Sequence, residues 1–115
     1  MLKTPKRLRQ SESHGRSKQQ EKELAARFKG RTTANSGAGY KKADVHADLV
    51  IIEAKTTKNK SFSITSKMID KLESDTLGSD KIPVIAVELE LGKKKVYVIP
   101  DWAIELVLGM KNAIE

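Results

Sequence analysis

The feature that most constrains this chain is a short apolar run, residues 49–52 (LVII), that ends directly in Glu53, Ala54 and Lys55. An unbroken run of aliphatic, mostly β-branched side chains is typical of a strand buried on both faces of a sheet. Side chains alternate along a strand, so Glu53 and Lys55 share one face while Ala54 points to the other. A charged pair at the end of a buried strand is costly unless something compensates it. A metal ion held between Asp44 and Glu53, with Lys55 beside it, would do so.

A second carboxylate lies close upstream, because Asp44 precedes the apolar run by a few residues. We predict that Asp44 begins a hairpin with a tight connection around residues 46–48, so that Asp44 and Glu53 come face to face across adjacent strands. Asp48 competes with Asp44 for the metal role, but its odd separation from Glu53 would place it on the opposite side of a continuous strand. His46 is interpreted as a turn residue rather than a ligand. Asp44 is therefore the preferred partner of Glu53.

The net charge of the chain limits the class of partner. With 22 Lys and Arg against 15 Asp and Glu, the chain carries +7 at neutral pH and has a pI near 9.7. This charge favours a polyanion such as nucleic acid, although ribosomal and other small soluble proteins are also basic. The absence of cysteine excludes disulfides and thiolate metal sites. No apolar run reaches the roughly 20 residues of a membrane span, and no secretory signal is recognisable, so we expect a cytoplasmic protein without a membrane partner.

The remaining pattern predicts one domain with a polar extension. Residues 1–16 are basic and carry few apolar side chains, so we predict a flexible arm there and a folded domain over residues 17–115. Ser17 is the expected N-cap of the first helix. The last helix has apolar residues on more than one face, which predicts burial in the core or against a second copy of the chain. The predicted helices cover residues 17–29, about 63–77 and 102–111, and the predicted strands lie at 31–34, near Asp44, through 49–55, at 82–89 and at 95–99.

These elements follow in the order α-β-β-β-α-β-β-α, which indicates an α/β fold with a mixed sheet flanked by helices. A loop of small residues at 35–39 would let a phosphate approach closely, where it would meet Ser36, loop amides and the lysines that follow. The basic arm would lie along phosphates or simply remain solvated. The candidate DNA-binding residues are Lys41, Lys42, Lys58, Lys60, Arg31, Arg7 and Arg9.

The ordered set of Glu21, Ser36, Asp44 and the Glu53-Ala54-Lys55 triplet resembles the PD-(D/E)XK nuclease superfamily. Within that superfamily the chain is most like the archaeal and phage Holliday-junction resolvases. The resemblance covers about residues 17–100. It departs from the superfamily at the residue before Asp44, which is alanine where proline is common, and in the short interval between Asp44 and Glu53. Three further stretches also support the resemblance, namely 19–24 (QQEKEL), 31–37 (RTTANSG) and 82–84 (IPV).

The resemblance implies a restriction-endonuclease-like fold and hydrolysis of DNA phosphodiesters with Mg²⁺, or Mn²⁺, as the cofactor. We expect Asp44, one oxygen of Glu53 and the carbonyl of Ala54 to supply oxygen ligands at about 2.0–2.1 Å from Mg²⁺. By resemblance, Glu21 would reach a second metal or its water. Lys55 would orient the attacking water or help to deprotonate it, and would lower the transition-state charge. The catalytic candidates are Glu21, Ser36, Asp44, Glu53 and Lys55, and the metal-binding candidates are Asp44, Glu53, Ala54 and Glu21.

The partner implied by the resemblance is branched double-stranded DNA, in particular a four-way junction that is cut by paired incisions. Paired incisions require two active sites, which implies a homodimer. Recognition would depend on phosphates and junction shape, since no base-reading helix motif is evident. Two alternatives remain open. One is another nuclease of the superfamily, of nicking or restriction type; the other is a non-catalytic basic DNA-binding module on the same fold.

Overall fold

Helices and the strands of one mixed sheet make up most of the chain. The computed structural model describes residues 6–33 and 43–114, with side chains described for 15–33 and 43–109. Two 3₁₀ turns, Glu90–Gly92 and Asp101–Ala103, interrupt the C-terminal half. The α/β class is confirmed. The helices are α1 (Lys6–Phe28), α2 (Ser66–Thr76) and α3 (Ile104–Ile114), and the strands are β1 (Arg31–Thr32), β2 (Val45–His46), β3 (Val50–Thr56), β4 (Ile82–Leu89) and β5 (Lys94–Val98).

The five strands lie in the order β1-β2-β3-β4-β5. The first three are antiparallel to one another, β3 and β4 are parallel, and β5 is antiparallel to β4. A parallel pair needs a crossover connection, which α2 provides between β3 and β4. Strands inside such a sheet are covered on both faces, which explains why the predicted apolar runs at 49–52 and 82–87 have no polar alternation.

Alternate residues of β3 and β4 divide between two apolar clusters. On one side, which we call the α1 face, Leu24 of α1 packs against Val45, Ile52 and Ala86. On the other side, the α2 face, Leu72 of α2 packs with apolar residues that include Ile51, Ile85 and Val87. The alternation confirms that Ala54, which packs on the α1 face, lies opposite the side that carries Glu53 and Lys55.

The second helix matches its prediction closely. Thr65 is the N-cap, and its hydroxyl accepts a hydrogen bond from the backbone N–H of Met68 at 3.2 Å. Met68, Ile69 and Leu72 contribute to the cluster on the α2 face, and Thr76 is buried at the end of the helix. The predicted apolar stripe is therefore confirmed as core.

The predicted start of the first helix is wrong. Helix α1 begins at Lys6 rather than at Ser17, so residues 6–16, predicted as a flexible arm, are helical. Lysine, arginine, leucine, glutamine and glutamate are good helix formers even without an apolar face. Arg16 also fixes this part of the helix to the sheet, because its guanidinium reaches Glu88 of β4. Ser17 is an interior residue of the helix and not its cap.

The described side chains of the last helix, residues 104–109, do not enter the core of this chain. The helix begins at Ile104, after the 3₁₀ turn, and among residues 101–109 Ala103 alone is buried. Core burial, one of the two predicted outcomes, is wrong for residues 104–109; packing against a second copy stays a prediction. The exposed apolar residues here are Trp102, Ile104, Leu106, Val107 and Leu108. Within the described residues, none of the helices combines the length and the apolar character needed to cross a membrane.

An arginine–glutamate pair ties α1 to the sheet. Arg16 donates from Nε to Oε1 of Glu88 at 2.6 Å and from Nη2 to Oε2 of the same carboxylate at 2.8 Å. The same guanidinium reaches Glu23 at 2.8 Å. The side chain of Glu88 is only 5% exposed, so this two-point pair compensates a charge that water cannot reach. The bonds to Glu88 and then Glu23 also raise the pKa of Arg16.

We predict that Arg16→Ala lowers the free energy of unfolding by about 2–3 kcal/mol, because it leaves the carboxylate of Glu88 buried without its main partner. Chemical denaturation monitored by circular dichroism measures the change. The matched control is Lys18→Ala, which removes an exposed cation from the same helix and should change stability by no more than about 0.5 kcal/mol. Equal effects of the two substitutions would contradict the structural role of the pair.

Candidate metal and phosphate site

The register of β2 against β3 brings the two candidate carboxylates together. Val45 pairs with Ile52, and continuing this antiparallel register by one residue places Asp44 across from Glu53. The chain bends at Asp44, and its Oδ2 accepts a hydrogen bond from the backbone N–H of Ala54 at 2.9 Å. Asp44 is only 6% exposed. The predicted approach of Asp44 to Glu53 is therefore confirmed as geometry, while the metal-binding role stays a prediction.

A tight hairpin fixes this register. The backbone N–H of Ala47 donates to the carbonyl of Val50 at 3.0 Å and closes the connection predicted around residues 46–48. Asp48, the competing carboxylate, is exposed in this connection and away from the paired strands. Gly30, after α1, packs against the same hairpin, where a Cβ would lie 2.6 Å from the carbonyl oxygen of His46. Only glycine permits that approach between the end of α1 and β2.

The acid and the amine predicted to share a face form an ion pair. Nζ of Lys55 lies 3.4 Å from Oε1 of Glu53 on the α2 face. The side chain of Glu53 is 15% exposed and that of Lys55 is 37% exposed. Burial raises the pKa of Glu53, and the negative charge of Asp44 raises it further, whereas Lys55 and Lys71 oppose the rise. The raised pKa shows that the negative charge of Glu53 is only partly compensated, which is the electrostatic setting that a divalent cation would relieve.

The backbone N–H and C=O of Ala54 both face the edge of β3 on which Asp44 lies. In an extended strand the N–H and C=O of one residue lie on the same side, and the N–H of Ala54 points to the carboxylate of Asp44. The carbonyl of Ala54 is directed to the same edge. Oxygen donors from Asp44, Glu53 and Ala54 are the chemistry that Mg²⁺ and Mn²⁺ bind in proteins, so the residues present fit the cofactor predicted from the sequence.

The remaining metal candidate, Glu21, lies on a different layer. It is half-buried on α1, the helix that covers the α1 face. Residues two apart on a helix are separated by about 200° around its axis, so Glu21 points away from the flank on which Glu23 contacts Lys95 of β5. Among the described residues, no three histidine, cysteine, aspartate or glutamate side chains form a cluster able to hold a metal ion. Glu21 is therefore not brought together with Asp44 and Glu53.

Several phosphate-binding candidates lie outside what the structure describes. Ser36, Lys41 and Lys42 belong to residues 34–42, and the side chains of Arg7 and Arg9 fall outside the described set although their backbone is helical. Their predicted roles stay predictions. The other three candidates, Arg31, Lys58 and Lys60, are exposed.

Two residues near the site were not predicted to act there. Gln20 is 1% exposed, and its Nε2 donates to the carbonyls of Lys55 and Ala86, each at 3.1 Å. Its position four residues before Leu24, on the apolar face of α1, is a signal of burial that the sequence carries. Lys71 of α2 forms an ion pair with Asp75 at 3.2 Å and contributes to the field at Glu53.

Comparison with known proteins assigns no family. No protein-family model matches the chain, and a search of curated proteins finds no significant match. The resemblance to nucleases therefore depends on the residues of this chain and on their arrangement. That arrangement is an acidic pair on adjacent strands, with an amine next to one acid and a backbone N–H that donates to the other.

We predict that Glu53→Gln raises the melting temperature at neutral pH. The pKa of Glu53 is higher in the folded chain than in the unfolded chain, so the folded state binds the carboxyl proton more tightly. The stability of the wild-type chain therefore falls as the pH rises from the unfolded-state pKa of Glu53 through its folded-state pKa. Glutamine has no charge to bury, so the advantage of the variant should disappear below about pH 4, where glutamate is protonated in both states.

Thermal melts from pH 3 to pH 8 measure this difference. Asp80→Asn, which removes an exposed carboxylate from a turn, is the matched control and should leave the pH profile of wild type almost unchanged. A Glu53→Gln variant that is less stable than wild type by the same amount at every pH would contradict the electrostatic account.

Proposed function

We propose that this chain is a metal-dependent DNA endonuclease that resolves four-way junctions, on a restriction-endonuclease-like fold. The observation that carries the proposal is the position of Asp44 across from Glu53, with the amine of Lys55 3.4 Å from the latter. Support for the fold comes from the sheet, in which three antiparallel strands precede a parallel and then an antiparallel partner, with a helix on each face.

The residues of the site divide the chemistry between them. Asp44, Glu53 and the carbonyl of Ala54 would hold Mg²⁺ or Mn²⁺. When bound, such a cation acidifies water and neutralises charge on a phosphate. The ammonium of Lys55, kept beside Glu53, would orient the water and offset negative charge as the phosphodiester is attacked. Glu21 is not part of this set among the described residues, so a role for it at a second metal or its water rests on the resemblance alone.

The proposed substrate follows from charge as well as from resemblance. A chain with a net charge of +7 attracts a polyanion, and the exposed side chains of Arg31, Lys58 and Lys60 are available for phosphates. Contacts of this kind fix the position of DNA without reading its sequence, which suits recognition of a branch by shape. Binding that depends on phosphates weakens steeply as salt is added.

We predict that the protein nicks a synthetic four-way junction symmetrically in the presence of Mg²⁺ or Mn²⁺ and leaves a linear duplex of the same sequence uncut. Glu53→Ala and Lys55→Met should each lower the single-turnover rate at least about 10²-fold, because each removes a group that acts on the reacting phosphate or water. Both variants should retain junction binding. Gel analysis of end-labelled strands gives the cleavage rates and the symmetry of the nicks.

The matched control is Asp48→Asn, which removes an exposed carboxylate five residues before Glu53 and should cleave at the wild-type rate. Cleavage of linear duplex as fast as of the junction would indicate a nuclease of nicking or restriction type. Absence of metal-dependent cleavage of any DNA by the wild-type chain would overturn the nuclease proposal in favour of a binding module.

The exposed face of α3 is the proposed site of the second copy. Paired incisions across a two-fold junction need two active sites, and a symmetric dimer supplies them through one self-complementary surface. Leu106 and Trp102 line a shallow groove with Leu77, and all three side chains are exposed although they are large and apolar. A second copy of the same helix would cover this surface.

We predict that the chain, of 12.8 kDa, sediments with twice that mass at micromolar concentration, and that Leu106→Glu converts it to the monomer, because two buried like charges would face each other across the symmetry axis. Analytical ultracentrifugation measures both masses. Ile64→Glu, an equal change at an exposed apolar residue outside α3, should remain dimeric. A monomeric wild-type chain would exclude this interface.

A further inference from the structure

Two connections at one end of the sheet are joined by backbone hydrogen bonds. The N–H of Leu91 donates to the carbonyl of Thr57 at 2.9 Å, and the N–H of Glu90 donates to the carbonyl of Asn59 at 3.0 Å. Thr57 is itself bonded to the carbonyl of Glu88 at 3.0 Å. The segment after β3 and the 3₁₀ turn between β4 and β5 therefore form one continuous backbone unit rather than two independent loops.

This unit presents a group of exposed lysines. There are four of them, Lys58, Lys60, Lys93 and Lys94. None of these lysines makes an ion pair with a described residue. Their neighbour Lys95 differs, because its Nζ lies 3.4 Å from Glu23 and 4.0 Å from Glu88. The acid on the unit itself is Glu90, in the 3₁₀ turn. We refer to the unpaired set as the lysine platform, and its members are Lys58, Lys60, Lys93 and Lys94.

The platform continues the surface that carries the acidic pair. In the register of the sheet, Lys55 pairs with Val87, Val87 pairs with Val96, and Lys94 is two residues before Val96 on β5. Lys55, Val96 and Lys94 therefore share the α2 face. Two strand spacings and two residues along a strand separate the backbones of Lys55 and Lys94 by about 12 Å. Val96, between them, is 47% exposed, so this surface is open from one lysine to the other.

The N-terminal part of α1 lies at the same end. Arg16 packs against the 3₁₀ turn, where a Cβ on Gly92 would be 3.0 Å from its Nε, while Arg27, further along the helix, donates to the hydroxyl of Tyr97 at 2.9 Å near the far end of β5. The helix therefore runs away from the platform as the chain proceeds. Its first ten residues, 6–15, extend about 15 Å in the opposite direction, past the turn, and include three basic residues.

We propose that the lysine platform binds the sugar–phosphate backbone of one duplex arm, about two nucleotides from the bond that is hydrolysed. Successive phosphates of one strand are displaced by about 3.4 Å along the axis and also turn around it, so their direct separation is about twice the axial rise, and about 12 Å between the backbones of Lys55 and Lys94 corresponds to about two phosphates. The position relative to the hydrolysed bond rests on the proposed nuclease function. Lysines act here as point charges, so the platform contributes affinity and orientation without sequence preference.

The test compares two quadruple variants that lose the same charge. One replaces the platform by Lys58→Gln, Lys60→Gln, Lys93→Gln and Lys94→Gln; the other replaces lysines elsewhere on the surface by Lys22→Gln, Lys29→Gln, Lys67→Gln and Lys81→Gln. Binding of a four-way junction is measured without divalent metal over a series of salt concentrations. The platform variant should lose about three to four units of the slope of log K against log salt, and the control less than about one. Thermal melts verify that both variants fold.

A second measurement locates the contact on the DNA. Neutral methylphosphonate at the second and third phosphates from the cleaved bond, on either side in separate junctions, should weaken wild-type binding on one of the two sides and leave the platform variant unaffected. If the slope of log K against log salt is equal for the two quadruple variants while the wild-type chain still cleaves the junction, the platform proposal alone would be overturned. Binding with a platform-dependent slope but without any cleavage would overturn the nuclease alone and support the platform as a DNA-binding surface.

Discussion

The pairing register of β2 with β3 is the constraint on which the site depends. Val45 enters the core of the α1 face opposite Ile52, and the next residue upstream, Asp44, comes across from Glu53. A slip of one residue would turn Val45 out of the core and separate the two carboxylates. The hairpin bond of Ala47 and the bond from Ala54 to Asp44 both fix this register. Structure and candidate chemistry are thus specified by the same few contacts.

Glu88 and Glu53, two acids of the same sheet, differ in how their negative charge is compensated. Glu88, on the α1 face, receives a two-point bond from Arg16 and is fully compensated, as expected of a structural carboxylate. Glu53, near the α2 helix, has only the longer contact with Lys55 and faces a second carboxylate, and its pKa is raised. An acid left under-compensated beside another acid destabilises the fold, and perturbed groups of this kind concentrate at functional sites. The contrast within one sheet favours Glu53, and not Glu88, as the candidate functional residue.

The sequence was sufficient for the elements with strong periodicity. Buried strands β3 and β4 and helix α2 follow from their apolar patterns, and the shared face of Glu53 and Lys55 follows from alternation along a strand. The start of α1 was missed because a basic, polar segment has helix propensity without an apolar face to reveal it. The bonds from Arg16 to Glu88 and from Gln20 to Lys55 join residues 72 and 35 positions apart, and no local pattern identifies such partners. The exposure of α3 depends on which surfaces the rest of the chain leaves free.

In the proposed nuclease, attraction for DNA and action on DNA would be carried by different parts of this molecule. Asp44 and Glu53 repel a polyanion, and Lys55, paired with Glu53, compensates only part of that charge. In this proposal the positive charge that draws DNA would act from outside the acidic pair, where lysines that pair with no described acid lie after β3 and at the start of β5. A phosphate held there would approach the acids only along the α2 face. Because the two functions lie on separate residues of one rigid sheet, either can be removed by substitution while the other is retained.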